Sequence, residues 1–411
     1  MINHERRRYE KITMVILAVT FVLMPTAAIA LTTVYVLRER GGNSRSLLFL
    51  FVTLALYMGL INATKTPASD QINYMHAYLL VPKQTVWESL TNIYGESYAL
   101  GTSAKEIGYG MLNIVGYVTS FGSYTSFIVE FTMLLYLLYF FALDKFFKWI
   151  HLPHRGVYLV AAIFILCFFT QFFNLTIHLQ RQYIASAVMI YALVDATINQ
   201  KPRWWLVAVG VLLHTSVGLF LPLFFLFYIR KKLSFKILAM SILLFSSSIA
   251  LMPAIFGSLM KIMGFQIYAL ERLTSAGLSE ETRFSIVITL VFSAPNVFVA
   301  ARELYRGRIQ IKQRLDLVSL AYLFCFCFSV LNPDNTMQYR YFMMSYGFMP
   351  FLLPQLFRRM DVAVNKVFLI GVVVFFVIRF YATFEDIVFD YAPMENILLD
   401  NVLSLFMYKP L

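Results

Sequence analysis

The sequence predicts an all-α, polytopic integral membrane protein of about 11–12 transmembrane helices, and three observations carry that expectation. Of the 411 residues, 60% are hydrophobic and 14% charged, with a mean hydropathy of +0.70. Soluble proteins run nearer 45–50% apolar and about a quarter charged. The apolar residues come in blocks, many of them long enough for the roughly 20 residues a helix needs to cross a bilayer. Lysines and arginines collect in short clusters between the blocks, where the positive-inside rule puts them. Together these exclude a soluble enzyme, a disordered chain and a disulfide scaffold. They also account for the net charge of +12 without a nucleic-acid partner. One helical bundle can use the whole chain, so residues 1–411 are expected to form a single transmembrane domain.

The first apolar segment, 12–37, follows a basic stretch (Arg6, Arg7, Arg8, Lys11) and contains Ala28-Ile29-Ala30, which imitates a signal peptide. The run continues to Val36, so a retained transmembrane helix is expected. Segment 46–62 comes next, then a long connection, 63–123, in which only 107–120 is amphipathic. Segments 124–143, 156–174, 183–198, 204–229 and 234–256 lead to a second long connection, 257–283. The series ends with 284–301, 317–332, 341–357 and 364–381, then an amphipathic tail over 382–411.

Orientation follows from the basic clusters. Those at Arg38–Arg45, Lys145–Arg155, Lys201–Arg203, Arg230–Lys236, Arg302–Arg314 and Arg358–Lys366 all fit the cytoplasmic side. Loops 63–123 and 257–283 and the acidic tail then face outward, towards the periplasm or cell exterior. Two places strain this scheme. The Arg6–Arg8 triplet falls outside by parity. Segment 204–229 has basic flanks on both sides, so a re-entrant hairpin turning near His214-Thr215-Ser216 is expected; irregular backbone at membrane depth is tolerated where it lines a wet cavity.

Polar and ionisable residues in or beside membrane helices are costly, so they are candidates for function. Asp70 and Tyr74 are four apart and would share a helical face, suiting sugar-hydroxyl recognition or a general base; a solvated loop cap is the plainer alternative. Glu106 heads the aromatic stretch Ile107-Gly108-Tyr109-Gly110, which would shape a cavity mouth or simply anchor at the interface. Arg181, flanked by Gln180 and Gln182, has no carboxylate near it in sequence, and its planar fork of donors matches phosphate oxygens as a lysine cannot. His214 sits at the proposed hairpin turn. Arg340, between Tyr339 and Tyr341, repeats the Arg181 chemistry or pairs with Asp334. Glu130 and Asp195 look structural. Cys167, Cys325 and Cys327 lie inside apolar runs and imply neither a disulfide nor a metal site. The six histidines lack metal-ligand spacing, and there is no P-loop, dinucleotide turn or nucleophile elbow, so neither metal nor cofactor is expected.

In this order, Asp70…Tyr74, Glu106-Ile-Gly108-Tyr109 leading to Asn113, Arg181-Gln182 before Ala185, His214-Thr-Ser216 and Tyr339-Arg340-Tyr341 resemble the EpsG/Wzy-type membrane polymerases of bacterial surface polysaccharide, over roughly residues 46–357. The resemblance implies a glycosyltransferase of the membrane (GT-C-like) class. It would join oligosaccharide repeat units carried on undecaprenyl diphosphate, by inverting, metal-independent transfer at the outer face, in O-antigen, capsule or exopolysaccharide synthesis. Its partners would be the lipid-linked oligosaccharide and the bilayer, with a chain-length regulator left open. Arg181 and Arg340 would hold the diphosphate; Asp70 and His214 are the available bases, and both stand. Tyr74, Glu106, Tyr109, Gln182 and Tyr339 would contact substrate. The basic stretch before the first helix departs from the family pattern. An O-antigen ligase would share the arginines and histidine but carry its large outer loop later, whereas here 63–123 is longer than 257–283. A lipid-linked oligosaccharide flippase or ion-coupled transporter would show internal repeats, and none is visible.

Overall fold

The computed structural model describes residues 2–38, 44–68, 70–91, 106–229, 310–311, 314–331, 344–354, 362–382 and 391–408, with single helical positions at 240, 244 and 298. The described residues are helical apart from connections and one two-residue antiparallel ladder, Gln310–Ile311 against Arg314–Leu315. The all-α class therefore holds. Among the described residues, two helices are long and apolar enough to cross a membrane: α3 (Ser44–Ala63) and α7 (Tyr124–Trp149). At about 1.5 Å per residue, the 26 residues of α7 exceed the roughly 30 Å of a bilayer's hydrocarbon core. A third crossing is added if α8 (Arg155–Phe168) and α9 (Thr170–His178), bent by 58° at Phe169, count as one span. These features are consistent with a polytopic membrane protein. The expected segments 234–256 and 284–301 lie almost wholly outside the described residues, as do the connection 257–283 and the basic clusters at 231–236 and 358–359.

Contacts divide the chain into two compact units: residues 1–188, 208–218 and 362–411, and residues 189–207 and 219–361. The first begins with α1 (Ile2–Leu23) and α2 (Pro25–Arg38). Proline lacks the amide a helix interior needs, so the single segment expected over 12–37 is interrupted at Pro25. Its centre is the crossing of α3 and α7, where a β-carbon added to Gly59 would lie 2.8 Å from the Val129 carbonyl oxygen. Phe51 fills the seam against Phe140 and Phe141, with ring centroids 5.4 and 5.9 Å away. Helix α8 packs on the helix Val362–Ala382; Phe380 meets Phe168 at 5.2 Å and Phe173 at 5.0 Å.

The C-terminal tail returns to this core. Tyr57 shares a hydroxyl contact of 3.0 Å with Tyr381 and donates to the Ile397 carbonyl at 3.1 Å, while Thr26 donates to the Leu398 carbonyl at 2.6 Å. Tyr391 reaches Asn62 and Asn174, and Asn62 donates in turn to Thr132 and Thr176. Buried amides and hydroxyls are tolerated because they satisfy one another.

In the second unit, Asp316 caps the helix Leu317–Leu331 by accepting from the amides of Val318 and Ser319. That helix is tied to residues 189–199 by the Leu317 amide, which donates to the Thr197 hydroxyl at 3.0 Å. Asp195 takes Arg203 at 2.9 Å, a structural role in keeping with its expected one.

Alanine is the better helix former than glycine by about 1 kcal/mol, so the two helical glycines Gly59 and Gly371 separate packing from propensity. Nothing lies within 4 Å of a β-carbon at Gly371. Gly371→Ala should leave the thermal midpoint in detergent unchanged or raise it. Gly59→Ala should lower it, by about 1–3 kcal/mol of overpacking. A Gly59→Ala protein as stable as the parent would show that α3 and α7 do not meet there.

Candidate active site

Segment 204–229 folds as the hairpin its flanking charges predict. Helix α11 (Trp204–Leu213) stops at His214, a 3-10 stretch covers Thr215–Phe220, and α12 (Leu221–Ile229) follows. In one continuous helix Trp204 and Phe225 would be about 30 Å apart; here their ring centroids are 5.2 Å apart. Each limb is about 15 Å long, half a bilayer core.

The described residues of the long connection 63–123 hold three short α-helices, α4 (Asp70–Leu80), α5 (Val86–Thr91) and α6 (Ile107–Thr119), the last within the amphipathic stretch expected over 107–120. Asp70 opens α4, where a carboxylate suits the helix dipole. A capping box opens α5, with Glu88 accepting from the Thr85 amide at 2.8 Å and the Thr85 hydroxyl from the Glu88 amide at 3.3 Å.

The two glycines of Gly108-Tyr109-Gly110 let the start of α6 approach backbone on two sides. A β-carbon at Gly108 would lie 2.7–2.9 Å from main-chain atoms of Leu212 and Leu213, just before His214. One at Gly110 would lie 2.7–2.8 Å from main-chain atoms of Ser89 and Leu90 in α5. Tyr109 between them is fully buried and donates to Gln180 Oε1 at 2.6 Å. Glu106, the N-cap residue of α6, makes no side-chain cap; its carboxylate is used elsewhere.

Glu106 Oε2 lies 2.5 Å from Arg181 Nη1, and Glu106 Oε1 lies 3.2 Å from His214 Nδ1. The side chains of Arg181 and Glu106 are 8% and 6% exposed and that of His214 16%, so the histidine is the member open to an incoming group. Arg181 also stands over the Tyr74 ring, with Cζ 5.6 Å from the centroid, and its Nε donates to the Tyr74 hydroxyl at 3.4 Å. Burial raises the Tyr74 phenol's pKa against the lowering pull of Arg181, so it stays a neutral hydroxyl. Tyr109 packs on Tyr74 with centroids 5.5 Å apart. His214 Nδ1 has a second suitor, the Ser216 amide, which donates to it at 3.2 Å.

Of the residues the sequence singles out, Tyr74, Glu106, Tyr109, Arg181 and His214 come together in the first unit. Asp70 lies one turn before Tyr74, and its charge acts on that phenol. Gln182 is buried in α10 (Gln180–Asn199), its carbonyl accepting from Ser186. Arg340 and Tyr339 lie outside the described residues. Arg181, solitary in sequence, gains a carboxylate partner 75 residues away. The sequence reading passed over Gln180 as a contact; a signal existed in its place directly beside Arg181. The buried polar atoms without a hydrogen-bond partner among the described residues include Asn113 Oδ1 and Ser216 Oγ, both on elements that contribute to the cluster. Among the described residues no three His, Cys, Asp or Glu side chains converge as a metal site requires.

The chain is thus a helical protein of membrane type with a buried arginine–carboxylate–histidine cluster. The EpsG family model matches residues 46–393, and the chain belongs to the EpsG family. The match reaches beyond the motifs to take in the helix Val362–Ala382 that packs on α8. No curated protein and no solved structure matches the chain. Membership suggests a role in exopolysaccharide biosynthesis.

A buried ion pair that loses one member leaves an uncompensated charge, at a cost of about 3–5 kcal/mol. Arg181→Met should therefore destabilise the protein strongly in denaturant titrations, and adding Glu106→Gln should recover much of the loss. Equal loss in the single and double variants would show that the guanidinium does not hold the carboxylate.

Proposed function

We propose that this protein is a glycosyltransferase that polymerises oligosaccharide repeat units carried on undecaprenyl diphosphate, by inverting, metal-independent transfer at the outer face of the bacterial cytoplasmic membrane. The observation that carries the proposal is the Glu106 carboxylate held between the Arg181 guanidinium and the His214 imidazole.

In the reaction a hydroxyl oxygen of the incoming unit attacks the anomeric carbon from the side opposite the diphosphate. The new glycosidic C–O bond forms as the C–O bond to phosphate breaks, and its electron pair leaves with the diphosphate. Preorganised positive charge where that negative charge develops is usually the largest catalytic contribution. Arg181 supplies it from a site with little water, where such charge acts strongly. Arg340, outside the described residues, is the second arginine proposed to hold the diphosphate, on its sequence motif alone.

The hydroxyl proton needs a base. Donation from His214 Nδ1–H to Glu106 Oε1 leaves Nε2 unprotonated and stabilises the imidazolium formed when Nε2 takes the proton, as an orienting carboxylate does for other catalytic histidines. This favours His214 over Asp70 as the base. Asp70 then acts through Tyr74. The side-chain oxygens of Asn113 and Ser216, unpaired among the described residues, suit a ligand rich in hydroxyls.

The test is the size distribution of surface glycan from a strain lacking this gene. Collapse of the ladder to one repeat unit, restored by the wild-type gene, supports a polymerase. Lipid-linked units trapped inside the cell would mean a flippase, and long polymer never joined to its acceptor core a ligase. Arg181→Lys keeps a cation beside Glu106 but loses the fork, and should cut polymer on the order of a hundredfold in a protein that still inserts. Arg340→Ala should behave likewise. A full ladder from the Arg181→Lys gene would remove the diphosphate assignment.

A further inference from the structure

Glu106 and His214 Nδ1 are each shared between neighbours in the cluster. The carboxylate offers Oε2 to Arg181 at 2.5 Å and Oε1 to His214 at 3.2 Å. The Nδ1 atom lies 3.2 Å from Glu106 Oε1 and 3.2 Å from the Ser216 amide nitrogen. A ring nitrogen cannot serve both at once. Carrying a proton, Nδ1 donates to Glu106; bare, it accepts from the Ser216 amide, and the neutral ring then carries its proton on Nε2. Only the first tautomer leaves Nε2 able to take a proton from a substrate hydroxyl.

From this sharing we infer that Glu106 interlocks donor binding with the base: a diphosphate that engages Arg181 releases Glu106 to His214 and switches the imidazole to its base-competent tautomer. The inference rests on the diphosphate reading of Arg181. Before the donor arrives, the short contact to the guanidinium draws the carboxylate's charge toward Arg181 and weakens it as an acceptor for Nδ1–H, so the Ser216 amide holds the ring in its inactive form. Phosphate oxygens compete with Oε2 for the same guanidinium donors. Once they take it, Glu106 regains its full charge in a site with little water, and a proton on Nδ1 becomes the favoured arrangement. No proton need enter or leave the protein; it moves between the two nitrogens of one ring through solvent or the incoming hydroxyl. The outcome is order: an acceptor hydroxyl is activated only when a donor is in place.

The interlock makes a prediction opposite to that of a merely structural Glu106. If Glu106 competes with phosphate, removing its charge must tighten anion binding. Purified full-length Glu106→Gln should bind inorganic pyrophosphate at least about tenfold more tightly than wild type by titration calorimetry, a modest value for a close charge pair. Arg181→Ala should not bind it. If wild type binds pyrophosphate through Arg181 and Glu106→Gln binds equally or more weakly, the interlock is wrong and the diphosphate reading stands. If binding is absent, or survives in Arg181→Ala, the diphosphate reading falls and the interlock with it.

A measurement on wild-type protein decides the matter should Glu106→Gln fail to fold. The nitrogen-15 chemical shifts of the His214 ring distinguish a proton on Nδ1 from one on Nε2. Pyrophosphate should move the proton from Nε2 to Nδ1 in labelled wild-type protein. A tautomer unchanged by saturating pyrophosphate would overturn the interlock.

Discussion

The arrangement of the first unit turns on one carboxylate. Glu106 is buried between a guanidinium from α10 and an imidazole at the hairpin turn, and a charge so placed is costly unless such neighbours compensate it. Its position is therefore a constraint on the start of α6, on the junction of α9 and α10, and on the hairpin turn together. The close main-chain approach at Gly108 satisfies that constraint for the hairpin, and the one at Gly110 sets α6 against α5. Tyr109, fixed between these glycines, carries the constraint on to Gln180 and so to the residue beside Arg181.

A shared carboxylate also says something about how such a site handles charged substrates. Lysine in place of Arg181 would neutralise Glu106 as a point, whereas the guanidinium keeps several donors in one plane and can meet the carboxylate and a phosphate in turn. Tyr74 adds a flat, neutral surface beneath the guanidinium, which holds the fork without competing for its charge. Arginine on an aromatic face, with an acid at its edge, is an arrangement suited to exchange of one anion for another.

Much of this was legible in the sequence, unevenly. Composition and block length gave the all-α membrane class because burial in lipid permits little else. Basic flanks on both sides of 204–229 gave the hairpin and its turn at His214. The pairing of Arg181 was not legible, since its partner is 75 residues away and nothing local marks the connection. Helix α6 falls within the amphipathic stretch expected over 107–120, whereas α4 and α5 are short and only partly apolar and do not stand out in hydropathy, although Thr85-Val-Trp-Glu88 carries the capping-box pattern. The bend at Phe169 has neither proline nor glycine to announce it; an extended residue within an aromatic run leaves the hydropathy unchanged. Hydropathy reports how much of a chain leaves water and is silent about where a helix is cut.

The return of residues 391–408 to the core has a consequence for folding. Tyr57 and Tyr381 are 324 residues apart, and Asn62 and Tyr391 are 329 apart, yet both pairs close onto α3. Contacts of such sequence separation are slow to form because the intervening chain must be ordered first. The polar face of α3 is therefore among the last parts of this unit to be satisfied, and a slow folding rate is built into the same bonds that complete its core.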